Sequence, residues 1–355
     1  MISILKHLET LTDNVSFLLS ETVEELWEDL NPQNIDGSYS ARSLIARVHA
    51  LRPELEKADY VALVGAEIVA RQLTYIDYIS DSSNLKKIIT AAPQQLDDII
   101  EHANTILRPG DLFIIENEKI HPKSFGPRLL SQVFTYSNYR SSHQCINRYR
   151  KLGFDGSTCP YCNEVIMRIV RVEDEHTVDE KMLFDIDHFY SKSLYPYLAL
   201  SFYNHIPSCK SCNQGFKGTK EFTLATHIHP YNRCFDTLYN FQLNHGVLRN
   251  EAPNLLGIRK KSIFDDKLLT DLKLESRYRG NLEPARITDL IEILANYSHL
   301  LRGGVTNEDE RARLKQRLKD FGIIATQQRI LKRCYSKLQR DTIAMFDPDN
   351  VLQLL

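Results

Sequence analysis

The chain has 355 residues, 43% hydrophobic and 25% charged, and a net charge of −2. That is the make-up of a soluble globular protein with room for two or three domains, and it carries no low-complexity tract. No apolar run reaches the ~20 residues needed to span a bilayer. The start, Met1-Ile-Ser-Ile-Leu-Lys-His, lacks the layout of a secretory signal. A cytoplasmic location with no membrane partner is therefore expected, and there thiols stay reduced.

Residues 1 to about 108 read as helices. Thr22-x-x-Glu25 has the form of a capping box, followed by Leu26, Trp27 and Leu30 at helical spacing. Residues 54–80 carry the cleanest stripe: Leu55, Ala58, Ala62, Ala66, Val69, Leu73 and Ile76. Pro93 opens a further helix, with Leu96, Ile99, Ile100, Ala103 and Ile106 on one side. Arg108-Pro-Gly110 predicts a turn and Asp111–Ile115 a short strand. The stretch to about residue 140 reads as a connector. Between 140 and 171, Arg140, Arg148, Arg150, Lys151, Arg168 and Arg171 alternate with tyrosines. Such a pattern suits a phosphate backbone or a solvated helix face equally.

Residues 237–270 read as irregular. Pro284 predicts a helix start with the stripe Ile287, Leu290, Ile291, Leu294 and Leu301, stopped by Gly303-Gly304. Thr306-x-x-Asp309 predicts the cap of a basic helix running through Lys319, and a last helix is expected over about 325–345. Charge is unevenly placed. Residues 1–60 hold eleven acidic and five basic side chains, whereas 302–340 hold eleven basic and four acidic. Either a nucleic-acid face at one end or ordinary helix surfaces would give this asymmetry.

Seven cysteines are present, and four of them form Cys159-x-x-Cys162 and Cys209-x-x-Cys212. In a reducing compartment two such pairs predict a four-thiolate zinc site. Four protein ligands close the tetrahedron, so this zinc is expected to be structural. It would staple the two ends of a segment whose loops read as short of apolar residues. His176, His205, His227 and His229 are alternatives that could replace a cysteine, but four cysteines suffice. Cys145, Cys234 and Cys334 are scattered.

Between the pairs lie Asp187-His188 and Asn204, and Asn213 follows the last cysteine. Hydrolysis of a phosphodiester with one metal ion needs a base, a cation and donors that hold geometry. Neutral imidazole suits the base. A carboxylate and an amide oxygen suit Mg²⁺ or Mn²⁺. His205 and His229 read as packing or substrate-side residues.

In order and residue type, Asp185-Ile-Asp187-His188-Phe189, Asn204 and Cys209-x-x-Cys212-Asn213 with Lys217 resemble the HNH endonuclease family over about 60 residues. The resemblance implies a ββα-metal fold, a hairpin followed by one helix. It implies His188 as general base, Asp187 and Asn213 as ligands of a catalytic divalent ion, and Asn204 as the residue that holds the hairpin loop. Lys217, and with it Lys192, would face the phosphate. Asp185 matches a second acidic residue found in some members, including the HNH domain of RNA-guided DNA nucleases. Many members carry a proline three residues after the histidine, where this chain has Ser191; Pro196 is the nearest substitute. Leu198–Leu200 through Asn204–Cys209 also resembles the HNH subunits that work with an ATPase in anti-phage systems such as Septu.

The expectation is thus a mainly α protein with a small α+β core: a helical part over 1–140 for interaction or scaffolding, a zinc-stapled nuclease part over 141–236 and a basic helical part over 237–355. Its expected partners are nucleic acid, with DNA the first candidate, and an ATPase. The rival readings are a non-catalytic zinc module that binds nucleic acid and an interaction subunit whose nuclease waits for its partner.

Overall fold

A computed structural model describes residues 3–117, 119–174, 177–243, 256–261, 266–281, 285–302, 307–324 and 326–354. The described chain is mainly helical, with four separate antiparallel hairpins. Strand β1 (Phe113–Glu116) pairs with β2 (Lys119–Pro122), and β3 (Ile169–Asp174) with β4 (Thr177–Met182). Strand β5 (Asp185–His188) pairs with β6 (His205–Ser208), and β7 (Tyr239–Leu243) with β8 (Leu256–Lys260).

The helical start follows its apolar periodicity more closely than its caps suggest. The second helix runs Val15–Leu30 and buries Leu19, Val23, Leu26, Trp27 and Leu30. Thr22 lies inside it rather than capping it, because Asn14 is the cap: its side chain accepts from the Phe17 amide. Thr22 instead donates back to Leu18 O at 2.6 Å. The 54–80 stripe is divided. One helix, Leu44–Leu55, ends just past Pro53, and two more, Ala58–Val64 and Ala66–Ser80, meet at Gly65. Gly65 holds φ 98, a left-handed conformation that costs glycine little and other residues more. Pro93 opens a single 3₁₀ turn, after which the helix Leu96–Ile106 buries Leu96, Ile100 and Ala103.

Asp111 ends up in a helical turn, not a strand, and pairing starts at Phe113. Its carboxylate takes both the Arg71 guanidinium, at 2.7 and 2.8 Å, and the Arg108 amide, which favours the turn. The connector before 140 is helical too, in short pieces over Phe125–Arg128, Leu129–Val133 and Tyr136–Arg140.

Beyond the central stretch, residues 239–260 are not irregular throughout. Tyr239, Phe241 and Leu243 are buried in alternation along β7, the period of a strand. The partner β8, with Gly257 and two basic residues, carries no such signal. Pro284, Gly303-Gly304 and Thr306 lie outside the described residues, as does His176. The helices they were expected to bound run Ile287–Asn296 and Glu308–Phe321, and Asn307 caps the second by accepting from the Glu310 amide. The last expected helix is interrupted: a 3₁₀ stretch Gln327–Lys332 is followed by Ser336–Phe346, with Tyr335 at φ 59 between them.

One apolar cluster runs from Ile4 through the central hairpin to Leu352. The basic residues of 140–171 are largely engaged within it or at its rim. Arg148, almost fully buried, pairs with Asp29 at 2.6 Å, Arg150 with Glu180 at 2.6 Å, and Lys151 with Glu21 and Glu25 at 2.7 Å. Much of the acidic excess at the N-terminus is thus the counter-charge of this segment.

The N-terminal helix Ile4–Leu8 docks on the middle of the chain, with the Ile4 amide donating to Pro230 O and His7 Nε2 donating to Leu152 O at 3.1 Å. Burial, with Lys332 nearby, lowers the His7 pKa from 6.5 to about 4. The unfolded chain then binds more protons than the native state between those values, so stability is full above pH 6.5 and declines as pH falls toward 4. A shift of this size is worth roughly 3 kcal/mol. A His7→Gln variant, which keeps a donor for Leu152 O, should show a shallower loss of unfolding free energy in urea titrations between pH 6.5 and 4.5. An unchanged slope would remove His7 from the account.

Candidate functional site

The two Cys-x-x-Cys turns meet. All four sulfurs lie within 4.8 Å of one another, and all four cysteines are buried. Cys162 Sγ and Cys209 Sγ are 3.8 Å apart. Thiolates on a tetrahedral zinc at about 2.3 Å lie about 3.8 Å from each other, whereas a disulfide needs about 2.05 Å. The donor set therefore fits a zinc ion, which four buried cysteines this close could bind. Backbone amides of Cys209, Cys212 and Glu164 point at the sulfurs of Cys159, Cys209 and Cys162 at 3.3 to 3.4 Å. Arg277 adds a guanidinium 3.3 Å from Cys212 Sγ while pairing with Glu164 at 2.7 Å. Such donors stabilise thiolate and offset the negative charge that four thiolates bring to one Zn²⁺.

The turn after Cys162 is held by distant chain. Asn163, at φ 54, donates through Nδ2 to Thr158 Oγ1, Ile330 O and Arg333 O. Its Oδ1 accepts from the Lys337 amide at 3.1 Å and from Ser336.

Strands β5 and β6 rise from this centre, and the π-helical segment Ser211–Lys217 follows β6, ending at Gly218 with φ 53. Asp185 and Asp187, two apart on β5, share the face that this segment covers. Asn213 Nδ2 and Gln214 Nε2 donate to Asp185 Oδ2 at 3.0 and 2.7 Å. Lys217 Nζ lies 2.7 Å from each oxygen of Asp187. The same ammonium donates to the carbonyls of His188 and Phe189. Tyr161, inside the first Cys-x-x-Cys, donates its hydroxyl to Asp187 Oδ2 at 2.7 Å.

The loop between β5 and β6 is not poor in apolar residues, as its sequence suggested: Phe189, Tyr190, Tyr197, Leu198, Leu200 and Phe202 are all buried. Buried Asn204 closes it. Its Oδ1 accepts from the Tyr190 amide at 2.7 Å, and its Nδ2 donates to Tyr190 O and Leu198 O at 3.1 and 3.0 Å. Alanine at 204 would remove three hydrogen bonds and leave a buried amide unpaired. A loss of roughly 3 kcal/mol in denaturant unfolding is expected, and a loss below about 0.5 kcal/mol would show that the loop holds itself.

His188 ends β5. Its Nε2 donates to Ala199 O at 3.1 Å, and His205, its partner across the hairpin, donates to the same carbonyl at 2.9 Å. Both imidazoles therefore carry their proton on Nε2, which leaves Nδ1 of His188 as a proton acceptor. Burial, His205 and Lys192 hold the His188 pKa well below its ordinary value, and burial lowers His205 to about 4. Tyr136 packs edge-on to His188 with ring centres 4.3 Å apart and donates to Ile186 O, and Lys192 lies 4.6 Å over the Tyr136 ring.

These groups line one cleft of about 330 Å³, with Asp185, Asp187, His188, Lys192, Asn213 and Lys217 all on its wall. Arg140 and Lys220 add positive charge. Asn204 and the cysteines stand behind the wall. His229 and His227 are packing residues, donating to Tyr203 O and facing Asp271 respectively. Tyr136 and Tyr161 escaped the sequence reading, whereas Arg140 stood in the basic run that suits a phosphate backbone or a solvated helix face. Tyr161 had a local signal, its place between two zinc-type cysteines.

No protein-family model matches the chain, and no curated protein or solved structure matches it either. Fold and site define a mainly helical protein with small antiparallel hairpins and a buried four-cysteine cluster that could hold zinc. Among the described residues no helix is long and apolar enough to cross a membrane.

Proposed function

We propose that this chain is an HNH-type endonuclease that hydrolyses phosphodiester bonds in nucleic acid, DNA first, with a structural zinc at the four cysteines. The observation that carries the reading is His188: a neutral imidazole, its tautomer fixed by Ala199 O, on the wall of a cleft shared with Asp185, Asn213 and four basic side chains. The hairpin β5–β6 followed by the segment 211–217 supports a ββα-metal arrangement.

His188 Nδ1 takes a proton from the attacking water. Asn204 keeps the loop, and with it Ala199 O, in place, so the imidazole does not turn. Lys192, Arg140 and Lys220 draw the phosphate toward the cleft. Asp185 and Asn213 are hard oxygen donors on the cleft wall, a pair that suits Mg²⁺ or Mn²⁺ and would hold it together with water, whereas both oxygens of Asp187 are taken by Lys217 and one also by Tyr161. When bound, such an ion neutralises charge on the phosphate and the leaving oxygen. Asp185 stands in the pair because Asn213 already bonds to it rather than to Asp187.

The net charge of −2 favours a nuclease that meets its substrate with help, and an ATPase is the proposed partner. The test is purified protein on supercoiled plasmid with Mg²⁺ or Mn²⁺, alone and with the products of adjoining genes. Conversion to nicked or linear DNA is expected with a divalent ion and not with EDTA. Salt-sensitive binding without cleavage under every condition would leave a binding module instead.

A further inference from the structure

Lys217 is the least expected member of the site. A lysine that grips phosphate should reach into the cleft with its ammonium in water. This one is 3% exposed. Its four oxygen partners are all internal: both carboxylate oxygens of Asp187 and the carbonyls of His188 and Phe189. The Phe222 ring lies 4.7 Å from the ammonium. An ammonium has three protons, so these partners already exceed its donors.

The other side of Asp187 is equally engaged. Tyr161 is fully buried, and its hydroxyl reaches Asp187 Oδ2 at 2.7 Å. Tyr161 is also one residue from each neighbour of the cysteine turn, Pro160 and Cys162. The contacts thus form a continuous chain. It runs from the four-cysteine centre through Tyr161, Asp187 and Lys217 to the peptide carbonyl of His188. Every link is buried, where a charge-assisted hydrogen bond is strong and a broken one is costly.

We propose that Tyr161, Asp187 and Lys217 form a buried strut that passes the rigidity of the cysteine centre to the backbone of His188. Tyr161 and Lys217 are then positioning residues, and Lys217 does not bind phosphate. The inference rests on the nuclease reading for its catalytic consequence. The strut itself stands on contacts that do not depend on that reading. Lys192, Arg140 and Lys220 are left as the cations that substrate meets.

Two variants separate positioning from phosphate contact. Tyr161→Phe removes one hydroxyl and leaves every charge paired. Lys217→Met removes the ammonium. Cleavage rate is measured on plasmid with Mn²⁺, affinity by anisotropy of a labelled duplex in Ca²⁺, zinc content by mass spectrometry, and backbone motion by hydrogen exchange over residues 185–192. Displacing a catalytic group by an ångström costs about 100-fold in rate. We expect about a 10-fold lower kcat for Tyr161→Phe and about 100-fold for Lys217→Met, with duplex affinity within about twofold, zinc retained and faster exchange over 185–192. If Lys217→Met does not fold, Tyr161→Phe decides alone. Wild-type kcat and exchange in Tyr161→Phe would overturn the strut, as would a duplex affinity about 10-fold weaker in Lys217→Met. If the wild-type protein cleaves nothing, alone or with the products of adjoining genes, the nuclease reading falls, and the exchange comparison still decides the strut.

Discussion

A His188→Ala protein is expected to fold, to keep its zinc and to lose metal-dependent cleavage by ~10²- to 10⁴-fold, the range for removal of an acid–base group. The fold should survive because Ala199 O, the acceptor for His188, still receives His205 at 2.9 Å. No buried carbonyl is orphaned, and the cost is confined to a small cavity beside Tyr136. The rate should collapse because no neighbour can replace Nδ1. His205 is fully buried behind His188, and Lys192 is a cation. The pH profile is part of the same prediction. Burial keeps the His188 pKa well below 6.5, so the base is ready throughout the neutral range and the acid limb of kcat/KM should lie below pH 6.5. Undiminished cleavage by His188→Ala sinks the assignment of the base.

Losing a cysteine should act on the fold before the chemistry. Cys209→Ser removes one ligand, and Cys209 is also the sulfur toward which the Cys212 amide points. Structural zinc contributes ~10–16 kcal/mol to folding in small zinc modules. Forfeiting several kcal/mol of this should lower the melting temperature by roughly 10 °C, at 2–4 °C per kcal/mol for a domain of this kind. Zinc per chain should fall from about one to well below it. A Cys209→Ser protein with full zinc and an unchanged melting temperature would mean that the cluster is not a metal centre.

The chemistry-bearing residues were more legible than the elements that hold them. Cysteine spacing, Asp187-His188, Asn204 and Asn213 are local patterns; the four cysteines meet as a zinc site needs, and the others gather on or just behind one cleft, with Asn213 bonded to Asp185. Lys217 was misread because a lysine after a metal-type asparagine looks solvent-facing in one dimension, and nothing local shows that Asp187 folds back onto it. The loop at 189–204 was misjudged for the same reason, since its aromatic residues are irregularly spaced and bury themselves without a period. Helix ends failed where the deciding feature was a single side chain or dihedral. Asn14 outcompetes Thr22 as a cap, Gly65 cuts a continuous stripe, and Tyr335 with φ 59 divides the last helix. Strand β8 was invisible because its pairing, not its own sequence, makes it a strand.

The hold that Asn163 takes on residues 330–337 puts a time order on the molecule. The turn that presents Cys159 and Cys162 makes its final hydrogen bonds to chain synthesised more than 160 residues later. Contacts so far apart in sequence form late and slowly. On the ribosome the four cysteines could gather a metal early, but the knuckle beneath them would stay unlocked until residues 330–337 emerged. The protein would thus pass through a stage in which its cysteine centre is gathered and His188, the base of the proposed reaction, is not yet held still, so that the proposed activity would be restrained while the chain is being made.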